Sequence, residues 1–214
     1  DDNGYTKKDS QNAIVGDSPY GTAKTADWDI THESDEKDAY VLSNGSKLQA
    51  IFFKEKADTG YFEVDATIDA SEYIENGKAG IMVYANTLNY ASLMFAVNSE
   101  TYDREQNKFI IARPQLRVTD NNGKEQVINL EKIDVSASGK IDAKVIFHNG
   151  YFYCIVNGRF IYCKFISALN NRIVPALCVE YGKGVKLRDY SLKMNRKERK
   201  LALKLGEKGV IWNY

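Results

Sequence analysis

Residues 151–164 read YFYCIVNGRFIYCK, and this stretch predicts a β-hairpin. Asn157-Gly158 is the strongest short-range signal for a type I′ turn, because that turn needs a positive φ at both central residues. The two strands would then have an apolar face toward a core and an aromatic face whose rings either pack or bind a ligand. The expected cross-strand pairs are Val156–Arg159, Cys154–Ile161 and Phe152–Cys163 on the apolar face, and Ile155–Phe160, Tyr153–Tyr162 and Tyr151–Lys164 on the aromatic face.

Strands with the same alternation precede this hairpin. KIDAKVIFH (140–148) leads into it through a second turn at Asn149-Gly150, and YFEVDATID (61–69) alternates apolar with polar residues. About a dozen short strands with few helices predict an all-β fold, either a two-sheet antiparallel sandwich or a barrel. The residues expected in its core are Phe62, Val64, Ile68, Ile81, Val83, Val145, Phe147, Cys154, Val156, Ile161, Leu177 and Leu187.

The 214-residue chain is predicted to form one domain with a segment at each end. Residues 1–25 are polar and contain Gly and Pro, which indicates an arm with at most one short strand near Ala13–Val15. Residues 26–194 carry the strand pattern. In residues 195–214, good helix formers predict one short basic helix over Asn195–Leu205, and GVIWNY would follow as a closing strand packed on the same domain.

Composition narrows the classes of function. Twenty-nine basic residues balance 29 acidic ones, which argues against a nucleic-acid-binding protein that relies on overall positive charge. Two histidines and three cysteines show no zinc-ligand spacing, so no zinc site is expected. Cys154 and Cys163 would share a strand face only diagonally, which is poor geometry for a disulfide, so the cysteines are expected to be free.

The chain has no apolar run long enough for a membrane helix, so membrane insertion is not expected. The opening DDNGYTKKDSQN (1–12) has no signal-peptide core, and it is typical of the polar start of a secreted or surface domain after signal removal. This pattern predicts an extracellular or cell-surface location. A cytosolic location stays open, because nothing in the chain requires oxidising conditions.

Five parts of the chain carry a family resemblance: Trp28, YFEVDATI (61–68), KAGIMVYANTLNYASLMF (78–95), FYCIVNGRFI (152–161) and IVPALCVEYGKGVKLRDYSL (173–192). Their order resembles the concanavalin A-like lectin/glucanase superfamily, especially the laminin-G-like jelly rolls of bacterial 3-keto-glycoside hydrolases and carbohydrate-binding modules. The resemblance implies two antiparallel sheets, with sugars held on a concave sheet face or at its rim. It identifies a fold and leaves the reaction open.

Glu63-Val64-Asp65 is the nearest approach to a catalytic signature. Family 16 glycosidases of the resembled superfamily carry Glu-x-Asp-x-x-Glu, and retaining hydrolysis needs two carboxyls about 5–5.5 Å apart. Glu63 and Asp65 match the first two positions, but Ile68 stands at the third. Solvated carboxylates on an outer sheet face are therefore the favoured interpretation, and a glycoside hydrolase is the weaker alternative.

Two acidic clusters, Asp35-Glu36-Asp38 and DNNG (120–123), offer oxygen ligands for calcium. The second lies where a hairpin must turn and lacks the spacing of an EF-hand loop. We therefore expect no cofactor and no catalytic metal, and structural calcium stays an open alternative.

Basic, amide and aromatic side chains are the candidates for ligand binding. Arg113, Gln115 and Arg117 alternate along IIARPQLRV (110–118), so they would share one side of a strand. Guanidinium and amide donors beside tyrosine rings commonly hold sugar hydroxyls or carboxylates, although a solvated strand face and packed rings explain the same pattern. Among the chain's 14 tyrosines, those expected to complete this surface are Tyr84, Tyr90, Tyr151, Tyr153 and Tyr162.

These observations favour a non-catalytic carbohydrate-binding domain of a secreted or surface bacterial protein. The expected partner is a carbohydrate, with neighbouring domains of a larger protein as a further option and no nucleic acid. Two alternatives stay open: a glycoside hydrolase that uses acidic residues of the sandwich, and a structural or protein-interaction module of the laminin-G-like type.

Overall fold

The computed structural model describes residues 13–15, 17–18, 21–22, 28–31, 40–43, 48–53, 61–86, 89–119, 124–169, 173–181 and 184–194. Three predictions lie outside these residues. They are the helix over Asn195–Leu205 with the closing GVIWNY segment, the DNNG turn, and the acidic cluster at residues 35–38.

Strands make up most of the described residues, and one 3-10 turn at Ser167–Leu169 separates two of them. No helix in this part of the chain is long and apolar enough to cross a membrane. The strands are β1 (Ala13–Val15), β2 (Asp17–Ser18), β3 (Gly21–Thr22), β4 (Trp28–Thr31), β5 (Tyr40–Ser43), β6 (Gln49–Phe53), β7 (Tyr61–Asp69), β8 (Gly77–Asn86), β9 (Asn89–Val97), β10 (Tyr102–Asp103), β11 (Lys108–Phe109), β12 (Ile111–Ala112), β13 (Pro114–Thr119), β14 (Glu125–Asn129), β15 (Ile133–Asp134), β16 (Ile141–His148), β17 (Tyr151–Val156), β18 (Arg159–Phe165), β19 (Val174–Glu180) and β20 (Lys186–Lys193).

Two seven-stranded antiparallel sheets form the body of the fold. Sheet I has the order β1-β6-β19-β8-β9-β13-β14, and sheet II has the order β18-β17-β16-β7-β20-β5-β4. Neighbours in both orders are often distant in sequence, as β19 beside β8 and β20 beside β7 show. The predicted two-sheet antiparallel sandwich is therefore confirmed, and the strand expected at Ala13–Val15 lies at one edge of sheet I. The expectation of at most one short strand in residues 1–25 is wrong, because β2 and β3 follow β1 and pair with each other.

The main hydrophobic core lies between the two sheets. Ile81 and Leu93 of sheet I belong to the same buried cluster as Val64 and Val145 of sheet II. Alternation along each strand puts every second side chain into this layer, which is how two packed sheets bury their inner faces. All twelve residues that the sequence assigned to the core belong to this cluster.

The hairpin at residues 151–164 has the predicted turn but a different register. Asn157 and Gly158 have φ values of 49° and 75°, as a type I′ turn requires. The pairing shifts between Cys154 and Ile155, because one extra residue in β18 forms a bulge. Beyond this bulge Tyr162 lies opposite Cys154 on the core side.

The bulge overturns two expectations about side-chain faces. Cys163 lies opposite Tyr153 on the outward face of sheet II. The pairs next to the turn, Val156–Arg159 and Ile155–Phe160, are confirmed, and the four predicted pairs beyond the bulge are wrong: Cys154–Ile161, Tyr153–Tyr162, Phe152–Cys163 and Tyr151–Lys164. Cys154 and Cys163 therefore point to opposite faces of the sheet, and the expectation that they share a face is also wrong. Cys154 and Cys178 are buried, while Cys163 is partly exposed.

Candidate functional site

The predicted ligand-binding residues divide between the two sheets. Tyr84, Tyr90, Gln115 and Arg117 belong to sheet I, on strands β8, β9 and β13. Arg113 precedes β13 and forms an ion pair with the exposed Glu100. The other three, Tyr151, Tyr153 and Tyr162, belong to the hairpin of sheet II. The expected single surface is therefore not formed, because the sandwich separates the two groups.

Sheet I has a second buried layer on its outward face. Ile81 and Val83 face the core, so Met82 between them points the other way, as alternation along a strand requires. The Cys178 Sγ atom lies 3.2 Å from the Met94 Sδ atom in this layer. The buried members of the layer are Leu48, Ala50, Met82, Tyr90, Met94, Ala176 and Cys178.

Four charged side chains lie on this outward face, and we call Lys78, Arg117, Glu125 and Glu180 the Arg117 cluster. The Arg117 Nη1 atom lies 2.8 Å from Glu180 Oε2 and 3.3 Å from Glu125 Oε1. The Lys78 Nζ atom lies 3.4 Å from the same Glu180 oxygen. The four residues come from β8, β13, β14 and β19, so the non-local strand order of sheet I brings them together.

Among the described side chains of this face, two buried polar atoms have no hydrogen-bond partner. They are the Nε atom of Arg117 and the Oγ atom of Ser92, whose residues are 6% and 1% exposed. Ser92 on β9 pairs directly with Arg117 on β13. Buried polar groups are usually hydrogen-bonded to protein or to water, so two unpaired atoms on adjacent strands mark a polar position in this otherwise apolar layer.

Glu180 is ionised at neutral pH. Burial raises the pKa of its carboxyl, but the hydrogen bond and charge of Arg117, with the charge of Lys78, outweigh burial and leave the pKa below its usual range. Counted at their formal charges, the two acidic and two basic members of the Arg117 cluster sum to zero. The site thus presents paired charges and two unpaired hydrogen-bonding atoms.

The aromatic side of the sheet II hairpin keeps Tyr151 and Tyr153 of the predicted residues, gains Phe165 and loses Tyr162. Tyr151 is 36% exposed and Phe165 is 50% exposed, and their ring centroids are 4.9 Å apart. Tyr153 is only 5% exposed, and burial, with Cys163 and Tyr151 nearby, raises its pKa to about 12. Tyr162 packs against the core instead of facing outward, so its expected orientation is wrong.

Glu63 and Asp65, the weaker catalytic alternative, share a lysine. Lys144 Nζ lies 2.7 Å from Glu63 Oε1 and 3.5 Å from Asp65 Oδ1, and Lys193 Nζ lies 3.8 Å from Glu63. Burial raises the pKa of Asp65, Lys144 lowers it, and Glu63 adds to the rise. The ammonium group lies beside both carboxylates, so this pair forms an ion-pair network on the outward face of sheet II.

Metal ligands are not clustered in the described strands and loops, where no group of three or more His, Cys, Asp or Glu side chains is arranged to hold an ion.

Several members of the candidate site were not predicted from the sequence, among them Lys78, Ser92 and Glu125. Glu125 had one local signal, because it begins the strand that pairs with β13 across the turn, opposite Thr119. Lys78 and Ser92 had none, because their relation to Arg117 depends on the order of the strands.

Comparison with known proteins identifies the fold. No family model matches the chain, and no curated protein is similar to it in sequence. A xylan β-1,4-xylosidase from Bacillus halodurans C-125 superposes with a TM-score of 0.54 and 12% identity over 72% of this chain and 32% of the enzyme. The GH43B protein of the Bacteroides ovatus xyloglucan locus superposes with a TM-score of 0.56 and 11% identity, covering 91% of this chain and 39% of that one. The fold is a two-sheet antiparallel jelly roll.

A third solved structure gives the same result. The GH43 protein BlXynB from Bacillus licheniformis matches this jelly roll with a TM-score of 0.53 and 13% identity, over 86% of this chain and 39% of its own. The chain therefore spans less than half the length of these three proteins. At this level of identity the likeness is one of fold, so the function must be argued from the site.

Proposed function

We propose that this jelly roll is a carbohydrate-binding domain whose site is the Arg117 cluster on the outward face of sheet I. The observation that carries the proposal is the pair of buried, unpartnered atoms, Arg117 Nε and Ser92 Oγ, beside two carboxylates. The location proposed with this function is extracellular or on the cell surface of a bacterium, where glycans are presented to binding domains.

Sugar hydroxyls match the hydrogen-bonding groups of this site. A hydroxyl both donates and accepts, so it accepts from the Nε–H group of Arg117 while it donates to a carboxylate of Glu125 or Glu180. Ser92 provides a second hydroxyl contact on the neighbouring strand. Tyr84 is partly exposed on the same face and adds an aromatic surface at the rim.

Binding is favoured over hydrolysis because Glu180 is not suited to donate a proton to a glycosidic oxygen. A retaining or inverting glycosidase needs one carboxyl with a raised pKa as its acid. The pKa of Glu180 is shifted the other way by Arg117 and Lys78. On sheet II, Glu63 and Asp65 both contact the ammonium group of Lys144. A glycoside hydrolase that uses these two carboxyls is therefore the second candidate function.

A glycan array combined with a hydrolysis screen tests the proposal. The wild-type protein is expected to bind at least one oligosaccharide class without releasing reducing sugar. Arg117→Lys, which keeps the charge and removes the planar fork, is expected to weaken that binding at least tenfold. The matched control is Arg159→Lys, because Arg159 pairs with Glu131 at the surface of sheet II.

Three results would contradict the proposal. One is the absence of binding across the whole array. Another is hydrolysis that depends on Glu63 or Asp65. The third is equal glycan affinity in wild-type protein and a folded Arg117→Lys variant, with folding checked by thermal denaturation.

A further inference from the structure

We infer that the Arg117 cluster selects uncharged glycans and rejects uronic acids. This inference rests on the proposed function and adds the class of ligand. It follows from the charges that already surround Arg117 and from the kind of hydrogen-bonding group that is still without a partner.

The cations of the cluster are already engaged by carboxylates of the protein. One nitrogen of Arg117 contacts both Glu180 and Glu125, at 2.8 and 3.3 Å. Lys78 contacts Glu180 at 3.4 Å. A carboxylate on the ligand would therefore be a third anion beside two basic groups, whereas a hydroxyl adds no charge.

The burial of these charged side chains strengthens the discrimination between neutral and acidic sugars. The side chain of Arg117 is 8% exposed, and those of Glu125 and Glu180 are 19% and 24% exposed. Met82 and Met94 lie in the buried apolar layer of the same face. Water screens charges poorly in such a place, so repulsion between a ligand carboxylate and the two glutamates is larger than it would be at an exposed site.

The unpartnered atoms are satisfied without any anion. The Nε–H group of Arg117 needs one acceptor, and the hydroxyl of Ser92 needs one donor or one acceptor. Neighbouring hydroxyls of a neutral sugar ring supply both kinds of group at once. A carboxylate supplies acceptors only, so a carboxylate group placed beside Glu125 or Glu180 offers them no donor.

Removing one of the competing carboxylates should change the selectivity. Glu125→Gln keeps the shape and an oxygen that accepts from the Tyr90 hydroxyl, which lies 3.4 Å from Glu125 Oε2. It leaves the cluster with one net positive charge, so a ligand carboxylate can then pair with Arg117. Glu131→Gln is the matched control, because Glu131 pairs with Arg159 outside the site.

The experiment uses gluco-, manno- and galacto-oligosaccharides on an array beside uronate oligosaccharides with the same ring configurations and linkages. For the best-bound pair, the neutral member is expected to bind the wild-type chain at least tenfold more tightly than the uronate member does. Glu125→Gln is expected to reduce this ratio at least tenfold, and Glu131→Gln is expected to leave it unchanged.

Each other outcome has a distinct meaning. A wild-type protein that binds the uronate member as tightly as the neutral one, or more tightly, overturns the inference and leaves the proposed function standing. An unchanged ratio in folded Glu125→Gln also overturns it, because charge would then not control selection. Failure to bind any member of either series contradicts the proposed function itself.

Discussion

Ser92 on β9 lies directly opposite Arg117 on β13, and each side chain has one buried polar atom without a hydrogen-bond partner. Neighbouring strands at a non-core face usually place polar groups where water or other side chains satisfy them. Two adjacent unsatisfied atoms are costly to the folded protein. A ligand that provides both partners recovers that cost on binding.

Ser92→Ala separates binding from stability. The substitution removes a buried hydroxyl that forms no hydrogen bond in the protein, so the free energy of unfolding should change by less than about 1 kcal/mol or increase. Glycan affinity should fall, because one ligand contact is lost. Urea denaturation and titration calorimetry measure the two effects, and a loss of stability above about 2 kcal/mol would show that Ser92 has a structural partner.

Arg117→Met should destabilise the protein, since it leaves Glu125 and Glu180 without their shared guanidinium. We expect a loss of about 1–3 kcal/mol in the free energy of unfolding. Glu180→Gln in the same chain should recover part of this loss, so the two effects should not add. Full additivity in a double-mutant cycle would be evidence against the 2.8 Å contact between Arg117 and Glu180.

Acid should weaken the fold in part through Glu180 and Asp69. Arg117 and Lys78 outweigh burial to lower the pKa of Glu180, and Arg188 and Ser71 do the same for Asp69. A carboxyl with a lower pKa in the folded state contributes stability that is present above its unfolded pKa and is lost as the pH falls through the folded one.

The matching measurement is the free energy of unfolding between about pH 6 and pH 2. It should decrease below about pH 4.5, and the decrease should be smaller in Glu180→Gln than in wild-type protein. Glu131→Gln serves as the control. A Glu180→Gln variant with the full wild-type decrease would mean that the ion pair with Arg117 does not contribute.

Gly80→Ala tests the close packing of β8 against β9. A Cβ atom at Gly80 would collide with the backbone carbonyl of Leu93 on the paired strand, and backbone of a central strand cannot move aside easily. The thermal midpoint should fall more than in Gly158→Ala, where a Cβ meets nothing within 4 Å and only the φ of 75° is unfavourable. The reverse order would contradict the observed register.

Tyr162→Ala should lower stability and leave glycan affinity unchanged. Tyr162 packs against the core cluster, so its removal should cost about 2 kcal/mol or more. Tyr151→Ala, at a ring that is 36% exposed, should cost less. The denaturant midpoint and glycan-array binding are measured for both variants. A stable Tyr162→Ala protein that no longer binds glycan would show that the site lies on sheet II and not at the Arg117 cluster.

Alternation and turn residues predicted much of the fold. Val64 and Val145 were assigned to the core from period-two patterns, and Asn157-Gly158 gave the position of a hairpin turn. The bulge at Ile161 had no such signal, because an extra residue in a strand leaves the composition and local pattern almost unchanged. One missed residue was enough to exchange the faces of Tyr162 and Cys163.

The candidate site was harder to predict than the fold. Arg117 was selected as a donor, but Glu180 follows it by 63 residues and could not be placed from the sequence. Their contact depends on the order β19-β8-β9-β13 in sheet I, and local propensities do not determine which distant strands become neighbours.

The most direct test is to follow the Arg117 Nε–H signal by NMR while an oligosaccharide from the array is added. The proposed site predicts that this signal and the Ser92 amide shift, and that both reach saturation together with binding measured by calorimetry. Binding that leaves Arg117 and Ser92 unchanged while the rings of Tyr151 and Phe165 shift would contradict it and place the glycan on sheet II.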